Sequence, residues 1–464
     1  MDQQRYDAIV VGGGIAGLTA AWRLRHRRTL LLEAEARPGG RMHSLPRGSL
    51  WLNLGAHLFG SDISPAGRLA NEFAMPLGDI PGDRLGIALN GKVVAGGYSE
   101  TFPLRLPLSL ADRVSFTRMG LKLRSGVSDL LAVQAPVAGE APAARRERQI
   151  GFDNGRTLAE RVGPLTPEVA TILRTVTERT GSSPEGMAAG YGLTSFAQVW
   201  SKHSFGRNLV GGTARLPFAI AERLPSVRLS ARVVSVEAGP DGVTVAWDEG
   251  GVRHEARAAQ VILATPADIT RAITKSLPEE TDAALGAIRY GPFLSVAVLT
   301  REDGPMPYDN NYAIATPHLA FGVLFNMAST LRTGPRTPGG SLMLFRGGPA
   351  AAALLEKSDD EITGPMQRDL ERLFPETRGI VSEMVVQRWP RGAPYAFVGR
   401  AGIQPALTRP LGRLHLAGDY LEFPCMDAAI ATAEEAAERV DAALGAEGPS
   451  QALHQSHAEN AFPV

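Results

Sequence analysis

The chain has almost no cysteine. Cys425, alone in 464 residues, excludes an intramolecular disulfide and any all-cysteine metal site, which fits a reducing cytoplasm. No run approaches the roughly 20 apolar residues that cross a bilayer. The opening Met1–Asp7 leads straight into a predicted strand, with no basic-then-apolar export signal before it. Charge of neither sign is in excess: Lys plus Arg and Asp plus Glu both number 48, so nothing points to nucleic acid. No cluster of His, Asp and Glu has metal-ligand spacing, and Ser295 has no sequence-local base to suggest a hydrolase. What remains is a soluble protein, at most resting on a membrane surface, with small molecules as partners.

What is present is a pair of glycine-containing segments at opposite ends. Asp7-Ala-Ile-Val-Val-Gly12-Gly13-Gly14-Ile15-Ala16-Gly17 places an apolar, β-branched strand before a turn, and Ile15 through Arg25 then reads as a helix. A second strand follows at Thr29–Glu33, which makes an opening β-α-β unit. In Gly12-x-Gly14-x-x-Gly17 the glycines serve the tight turn, the approach of backbone to a pyrophosphate, and the packing of helix on strand. Glu33, followed by Ala34, ends the next strand about 20 residues on, where a ribose-binding acid belongs. The pattern predicts a dinucleotide site.

Two features favour FAD over NAD. Pro38-Gly39-Gly40-Arg41-Met42 forms a loop able to return an arginine to the pyrophosphate. Near the end, Leu414-His-Leu-Ala-Gly418-Asp419 precedes a predicted helix from Met426 to about Leu444. A helix N-terminus there would stabilise negative charge on a reduced flavin ring.

Between the ends, Ser109–Val133 reads as a long amphipathic helix and 134–148 as a mobile surface loop. Helical patterns resume over Thr157–Arg179. Strands are predicted at Val227–Val236, Val243–Trp247 and Gln260–Ala264, with Asp241-Gly242 as a hairpin turn. Further strands are expected near Phe293–Thr300, Phe321–Asn326, Ser341–Phe345 and 413–417, with a helix near Asp359–Phe374. On the helix at 109–133, Leu110, Val114 and Leu121 alternate with Arg113, Arg118 and Lys122, which permits membrane-surface contact as well as ordinary core packing.

Val11–Gly17, Glu33, Gly39–Met42, Gly211-Gly212-Thr213, Val261-Ile-Leu-Ala-Thr-Pro266 and Leu416-Ala-Gly-Asp419 together resemble the flavin-containing amine oxidase superfamily, which includes monoamine oxidases, protoporphyrinogen oxidases and phytoene desaturases. The resemblance implies an α/β fold: a Rossmann-like, p-hydroxybenzoate-hydroxylase-like FAD-binding domain joined to an α+β substrate-binding domain. Residues 1–75, 207–280 and 395–445 would form the first, 76–206 and 281–394 the second, and 446–464 a disordered tail. It also implies that Val233 meets the adenine through its backbone and that Gly55 and Ala56 lie along the flavin.

Within that group, Ser295 aligns with the lysine that amine oxidases place near the flavin. Tyr395 matches one of their two substrate-flanking aromatic rings, and Cys425 stands at the other. The attachment cysteine of monoamine oxidases aligns with Pro394, so FAD is expected to be non-covalent. Gln387–Gly399 and Ile288–Phe293 look closest to the protoporphyrinogen oxidase and desaturase branch, whose substrates are extended and largely apolar.

Candidate residues at the reaction are His57, as a proton relay or a loop-holding ring, and Tyr395, beside the flavin or in the core. Trp389 is expected as a wall of the flavin cavity, and Cys425 as a small buried filler rather than a nucleophile. The resulting expectation is an FAD enzyme that removes hydride from a C–H bond to form C=C or C=N, with oxygen or a quinone as acceptor. Rival expectations are an amine or amino-acid oxidase, a flavin-free escort protein of the same fold, and an isomerase.

Overall fold

The computed structural model describes residues 5–80, 83–197, 199–200 and 206–446, so the tail expected after 446 lies outside the described residues. Two large sheets organise the chain. In the first, the strand Arg5–Val11 lies in parallel between Thr29–Leu32 and the C-terminal half of Val252–Leu263. Leu414–Leu416 also pairs in parallel with that half, on the side away from Arg5–Val11, so one strand separates the last strand from the first. The N-terminal half of Val252–Leu263 instead continues antiparallel into Gly242–Glu249 and then Ala231–Gly239.

Residues 8–11 are all buried because the sheet is covered on both faces, as a continuous β-branched run requires. Ala8 and Val10 face helices Ile15–Arg23 and Met426–Ala446, whereas Ile9 and Val11 face a core built on Val243, Val245 and Trp247. The two helices pack through Ala16, Ala20, Ala429, Ala433 and Ala436, small side chains that let their axes approach. Arg23 to Glu434 at 2.8 Å and Arg27 to Asp441 at 2.7 Å tie them along the rim.

The second sheet has seven strands, in the order Val381–Tyr395, Arg289–Thr300, Gly340–Gly347, Val323–Asn326, Asn311–Ala315, Asp83–Leu89 and Lys92–Ala95. Only Asn311–Ala315 with Asp83–Leu89 is parallel. Helices Leu110–Gln134 and Pro167–Thr177 lie on one face of this sheet and enclose a cavity of about 570 Å³ between themselves and it.

Several expectations need correction. The loop expected over 134–148 is confined to 135–141: Pro142–Gly151 is a helix, and Arg146 is buried in ion pairs with Glu422 and Glu435. The hairpin turns at Pro240-Asp241, with Gly239 paired to Gly242, so Gly242 opens the next strand at φ +141°. Strand Val227–Val236 is interrupted at Ser230, whose φ is +55°. The strand Val381–Tyr395 went unforeseen because it contains Pro390 and Pro394, which its edge position tolerates. On Leu110–Gln134, Met119, Leu123 and Leu130 face the core while Leu110 and Leu121 are exposed.

Candidate functional site

The glycine turn is shaped by contacts no side chain could share. A Cβ on Gly17 would sit 1.8 Å from the Gly12 oxygen, and one on Gly12, at φ +103°, would press on the Ala264 carbonyl. Gly14 is different, since nothing lies within 4 Å of a Cβ there. That open space sits at the N-terminus of helix Ile15–Arg23, which has no side-chain cap and no acidic residue in its first turn. The amides of Ile15, Ala16 and Gly17 precede the first intrahelical bond, Leu18 N–H to the Gly14 carbonyl, and so present unneutralised positive dipole toward the opening. These are the conditions that bind a phosphate.

Glu33 stands immediately after its strand and is buried beneath the turn. Its carboxylate accepts from the Gly13 amide at 2.5 Å and the Glu35 amide at 2.7 Å. Burial nevertheless raises its pKa, against the pull of those two amides. Ala34 follows at the surface of the same bend. Val233 reaches this corner because Ala231 N–H donates to the Glu33 carbonyl at 2.8 Å and Ser230 N–H to that of Glu35 at 2.9 Å. Two segments 200 residues apart thus share one edge of the opening.

The loop after Glu33 folds back over the turn. Gly39 N–H donates to the Gly13 carbonyl at 2.8 Å, and the space of a Cβ on Gly40 would meet Gly14 Cα at 3.3 Å. Met42 is buried in the helix-covered core and fixes the end of the loop. Between them, Arg41 crosses to the other end of the chain, donating to Asp419 Oδ1 at 2.7 Å and to the Gly392 carbonyl at 3.1 Å. Burial opposes the charge of Arg41, but Asp419 outweighs it and the net shift is upward. Gly55 packs directly on this arginine, since a Cβ would lie 2.0 Å from the Arg41 oxygen, and Ala56 N–H donates to that oxygen at 3.0 Å.

At the C-terminal side, Gly418 takes a φ of +146° and donates its amide to Thr432 Oγ1 at 3.0 Å, which locks the turn onto helix Met426–Ala446. Met426 is buried at the start of that helix. Asp427 carries negative charge there but turns it away, accepting from the Ala66 amide at 2.7 Å. Thr432, Asn53 and Arg37 went unnoticed in the sequence. Asn53 donates to the Gly55 carbonyl at 2.9 Å, and Arg37 donates to the Gly40 carbonyl at 3.0 Å with its guanidinium 6.0 Å from the Trp389 ring. A polar residue flanking a glycine was the only local signal.

On the substrate side, His57 lies among aromatics, with ring centroids 5.0 Å from Phe325 and 6.0 Å from Tyr312, and its Nδ1 is 3.0 Å from the Gly55 carbonyl. Burial pushes its pKa down to about 4, although the Gly55 contact favours the charged ring. A neutral imidazole follows at pH 7. Trp389 donates from Nε1 to the Leu54 carbonyl at 2.8 Å, which pins the strand Val381–Tyr395 to the segment before Gly55.

Tyr395 packs in an apolar cluster with Tyr191 and Phe423, whose rings stack at 6.2 Å. After burial, Asp419, Cys425 and Tyr395 each raise the Tyr191 pKa further, so these four side chains converge. Cys425 is not the buried filler expected: it has exposed surface, yet lies deep enough that burial pushes its thiol up to about 12. Ser295 is buried opposite Phe345 and Gln387 on neighbouring strands.

The residues fit FAD. An open, uncapped helix N-terminus, a buried acid beneath it and an arginine on the loop that folds back over the turn match the phosphate and ribose chemistry of a dinucleotide. The described residues contain no group of three or more His, Cys, Asp or Glu able to hold a metal. None of their helices is long and apolar enough to cross a membrane.

Comparison with known proteins agrees. Chloroplastic protoporphyrinogen oxidase from Oryza sativa subsp. japonica is 23% identical over 94% of this chain and 88% of its own length. (S)-6-hydroxynicotine oxidase from Paenarthrobacter nicotinovorans is 28% identical over 64% of this chain and 69% of its own. Among solved structures, cyclohexylamine oxidase from Brevibacterium oxydans IH-35A superposes with a TM-score of 0.74 at 18% identity, covering 95% of this chain and 99% of that one. Putrescine oxidase bound to putrescine gives 0.74 at 19% identity, covering 94% and 99%. The profile of flavin containing amine oxidoreductases matches residues 15–441, and the chain belongs to that family: it is an FAD-dependent oxidoreductase.

Proposed function

We propose that the enzyme oxidises a mid-sized, largely apolar molecule at a C–H bond, in the manner of the protoporphyrinogen oxidase and desaturase branch. The observation that carries this reading is the cavity of about 570 Å³, whose walls include Leu85, Ile87, Phe116, Met119, Leu123 and Val176. That volume lies within the range of small-molecule sites. Glu100, the one carboxylate among its described lining residues, is paired with Arg124 at 2.8 Å, which leaves little among them to attract a substrate ammonium.

Bound FAD, held without a covalent link, supplies the acceptor for the hydride. The chain's own residues do the rest. Gly12, Gly14, Ile15, Ala16 and Gly17 receive the pyrophosphate; Glu33 and Ala34 border the adenosine ribose and Val233 the adenine. Gly40, Arg41 and Met42 close over the phosphates, while Gly55, Ala56, Trp389, Gly418, Asp419 and Met426 line the flavin. His57, uncharged at neutral pH, can take the proton lost from the atom next to the oxidised carbon. Oxygen or a quinone then takes the electrons, and oxygen yields hydrogen peroxide. We assign residues 1–75, 207–280 and 395–445 to the cofactor portion and 76–206 and 281–394 to the substrate portion. We place the enzyme in the cytoplasm, with exposed Leu110, Val114 and Leu121 beside Arg113 and Arg118 as a surface able to rest on a membrane.

A second reading, amine oxidation to an imine, is favoured by the ring cluster of Tyr395, Tyr191 and Phe423 at Cys425. Anaerobic mixing with porphyrinogens, amines and amino acids separates the two. Bleaching of the flavin band by a porphyrinogen or another apolar donor is expected. Rapid bleaching by simple amines alone would replace the first reading with the second, and a product of unchanged mass would mark an isomerase.

A further inference from the structure

The cavity wall contains a cation that meets no carboxylate among the described residues. Arg179, in the single turn Glu178–Thr180, lines the cavity wall with Ile172, Val176 and Phe196. The adjacent carboxylate is committed elsewhere, since Glu178 Oε1 accepts from Arg346 at 2.6 Å. Arg179 itself donates to the backbone carbonyl of Ser195 and, among the described residues, has no ion pair. The other cavity-lining arginine, Arg124, already has Glu100.

A guanidinium remains protonated in proteins, and placing one in apolar surroundings is costly unless an anion meets it. Burial lowers the Arg179 pKa, and Tyr312 alone is close enough to offset this. A neutral carbonyl satisfies one donor of a five-donor fork. Beside it, Ser195 Oγ is buried with no hydrogen-bond partner among the described residues. Arg179 thus stands incompletely satisfied beside Ile172, Val176 and Phe196, while the polar lining residues Ser99, Glu100, Thr117 and Arg124 belong to other segments of the cavity wall.

We propose that Arg179 is the anchor for a carboxylate carried by an otherwise apolar ligand, which fixes that ligand's orientation in the cavity. A carboxylate rather than a phosphate is specified by charge, because one unpaired guanidinium balances one negative charge and a dianion would be left in excess in a low-dielectric wall. The assignment rests on the reading of this cavity as the substrate site and deepens it: the substrate is an apolar acid. Arg179 is a binding residue and takes no part in the redox step.

The test is calorimetric titration of the FAD-loaded enzyme with dodecanoate, dodecanol and dodecyl phosphate. Dodecanoate should bind about tenfold or more tightly than dodecanol, as a charge-assisted pair in an apolar wall requires. Arg179→Gln should lose that preference while keeping dodecanol affinity and its flavin spectrum, and Arg179→Lys should retain part of it. Equal binding of acid and alcohol by the wild type, an undiminished preference in Arg179→Gln, or tightest binding of the phosphate would overturn the assignment. A variant that loses thermal stability yet keeps the preference would make Arg179 a structural tie to Ser195, also against the proposal. Failure of the enzyme to hold FAD, with the acid preference intact, would instead sink the oxidoreductase reading and leave Arg179 as the carboxylate anchor.

Discussion

The two sheets meet their ligands by different physics. The first sheet presents backbone: at Gly12, Gly17 and Gly55 an added Cβ would press on main chain, at Gly14 it would meet open space, and a few charged groups such as Glu33, Arg41 and Asp419 surround the opening. The other sheet presents side chains, a wall of Leu, Ile, Val and Phe in which a single arginine stands without an ion pair among the described residues. Backbone recognition tolerates almost no substitution, because an added methyl group collides with main chain. Side-chain recognition tolerates many, because one hydrocarbon can replace another of similar volume. The cofactor half should therefore be brittle and the substrate half tunable.

The largest break in this contrast is expected at Gly17. In Gly17→Ala the new methyl lies 1.8 Å from the Gly12 oxygen, so helix and strand must separate and FAD affinity should fall by about a hundredfold or more, read by flavin fluorescence quenching. Gly14→Ala is the informative control. Its methyl meets no protein atom within 4 Å, so the apo-protein should melt as the wild type does while FAD binding weakens, because the methyl occupies the space meant for phosphate. An equal loss of apo stability in both variants would show that the turn serves packing alone.

Next in size is Asp419→Asn, which leaves Arg41 charged and its 2.7 Å partner neutral. We expect about tenfold weaker FAD binding and a lower melting temperature of the apo-protein. On the substrate side, Ala315→Phe should fill part of the cavity it lines and raise KM for a bulky donor about tenfold with FAD content unchanged, an outcome steady-state kinetics can read.

A smaller effect comes from pH. Folding depresses the His57 pKa from 6.5 to about 4, so the unfolded chain binds the proton first as pH falls. The stability this histidine contributes is complete above pH 6.5 and is lost progressively toward pH 4. Comparing urea unfolding at pH 7 and 5.5, His57→Gln should remove about 1 kcal/mol of the pH dependence. Smallest is Cys425→Ser: a thiol raised to about 12 stays protonated, and turnover should change less than twofold. A larger loss would give the thiol a part in the chemistry.

The same contrast decides how much the sequence revealed. Gly12, Gly14, Gly17, Glu33 and Gly418 were legible because backbone approach demands glycine at fixed spacing and places an acid at a strand end. The converse holds for the wall of the cavity, where Leu85, Met119 and Val176 come from three separate elements and nothing in an apolar residue says which neighbour it will meet. Arg179 looked like the end of an ordinary helix, since the commitment of Glu178 to Arg346 joins positions 168 residues apart. Helix Pro142–Gly151 was misread as a loop because its Ala, Pro and Arg content lacks an apolar stripe. Arg146 anchors it instead through Glu422 and Glu435, partners visible only after the C-terminal helix has folded alongside.

Both ends of the chain are proposed to hold one flavin nucleotide between them, and titrating the folded apo-protein with FAD tests this most directly. Quenching of flavin fluorescence that saturates at one FAD per chain, with all flavin released into solution by acid precipitation, is the predicted result. A correctly folded protein that leaves the fluorescence of added FAD unchanged would contradict it.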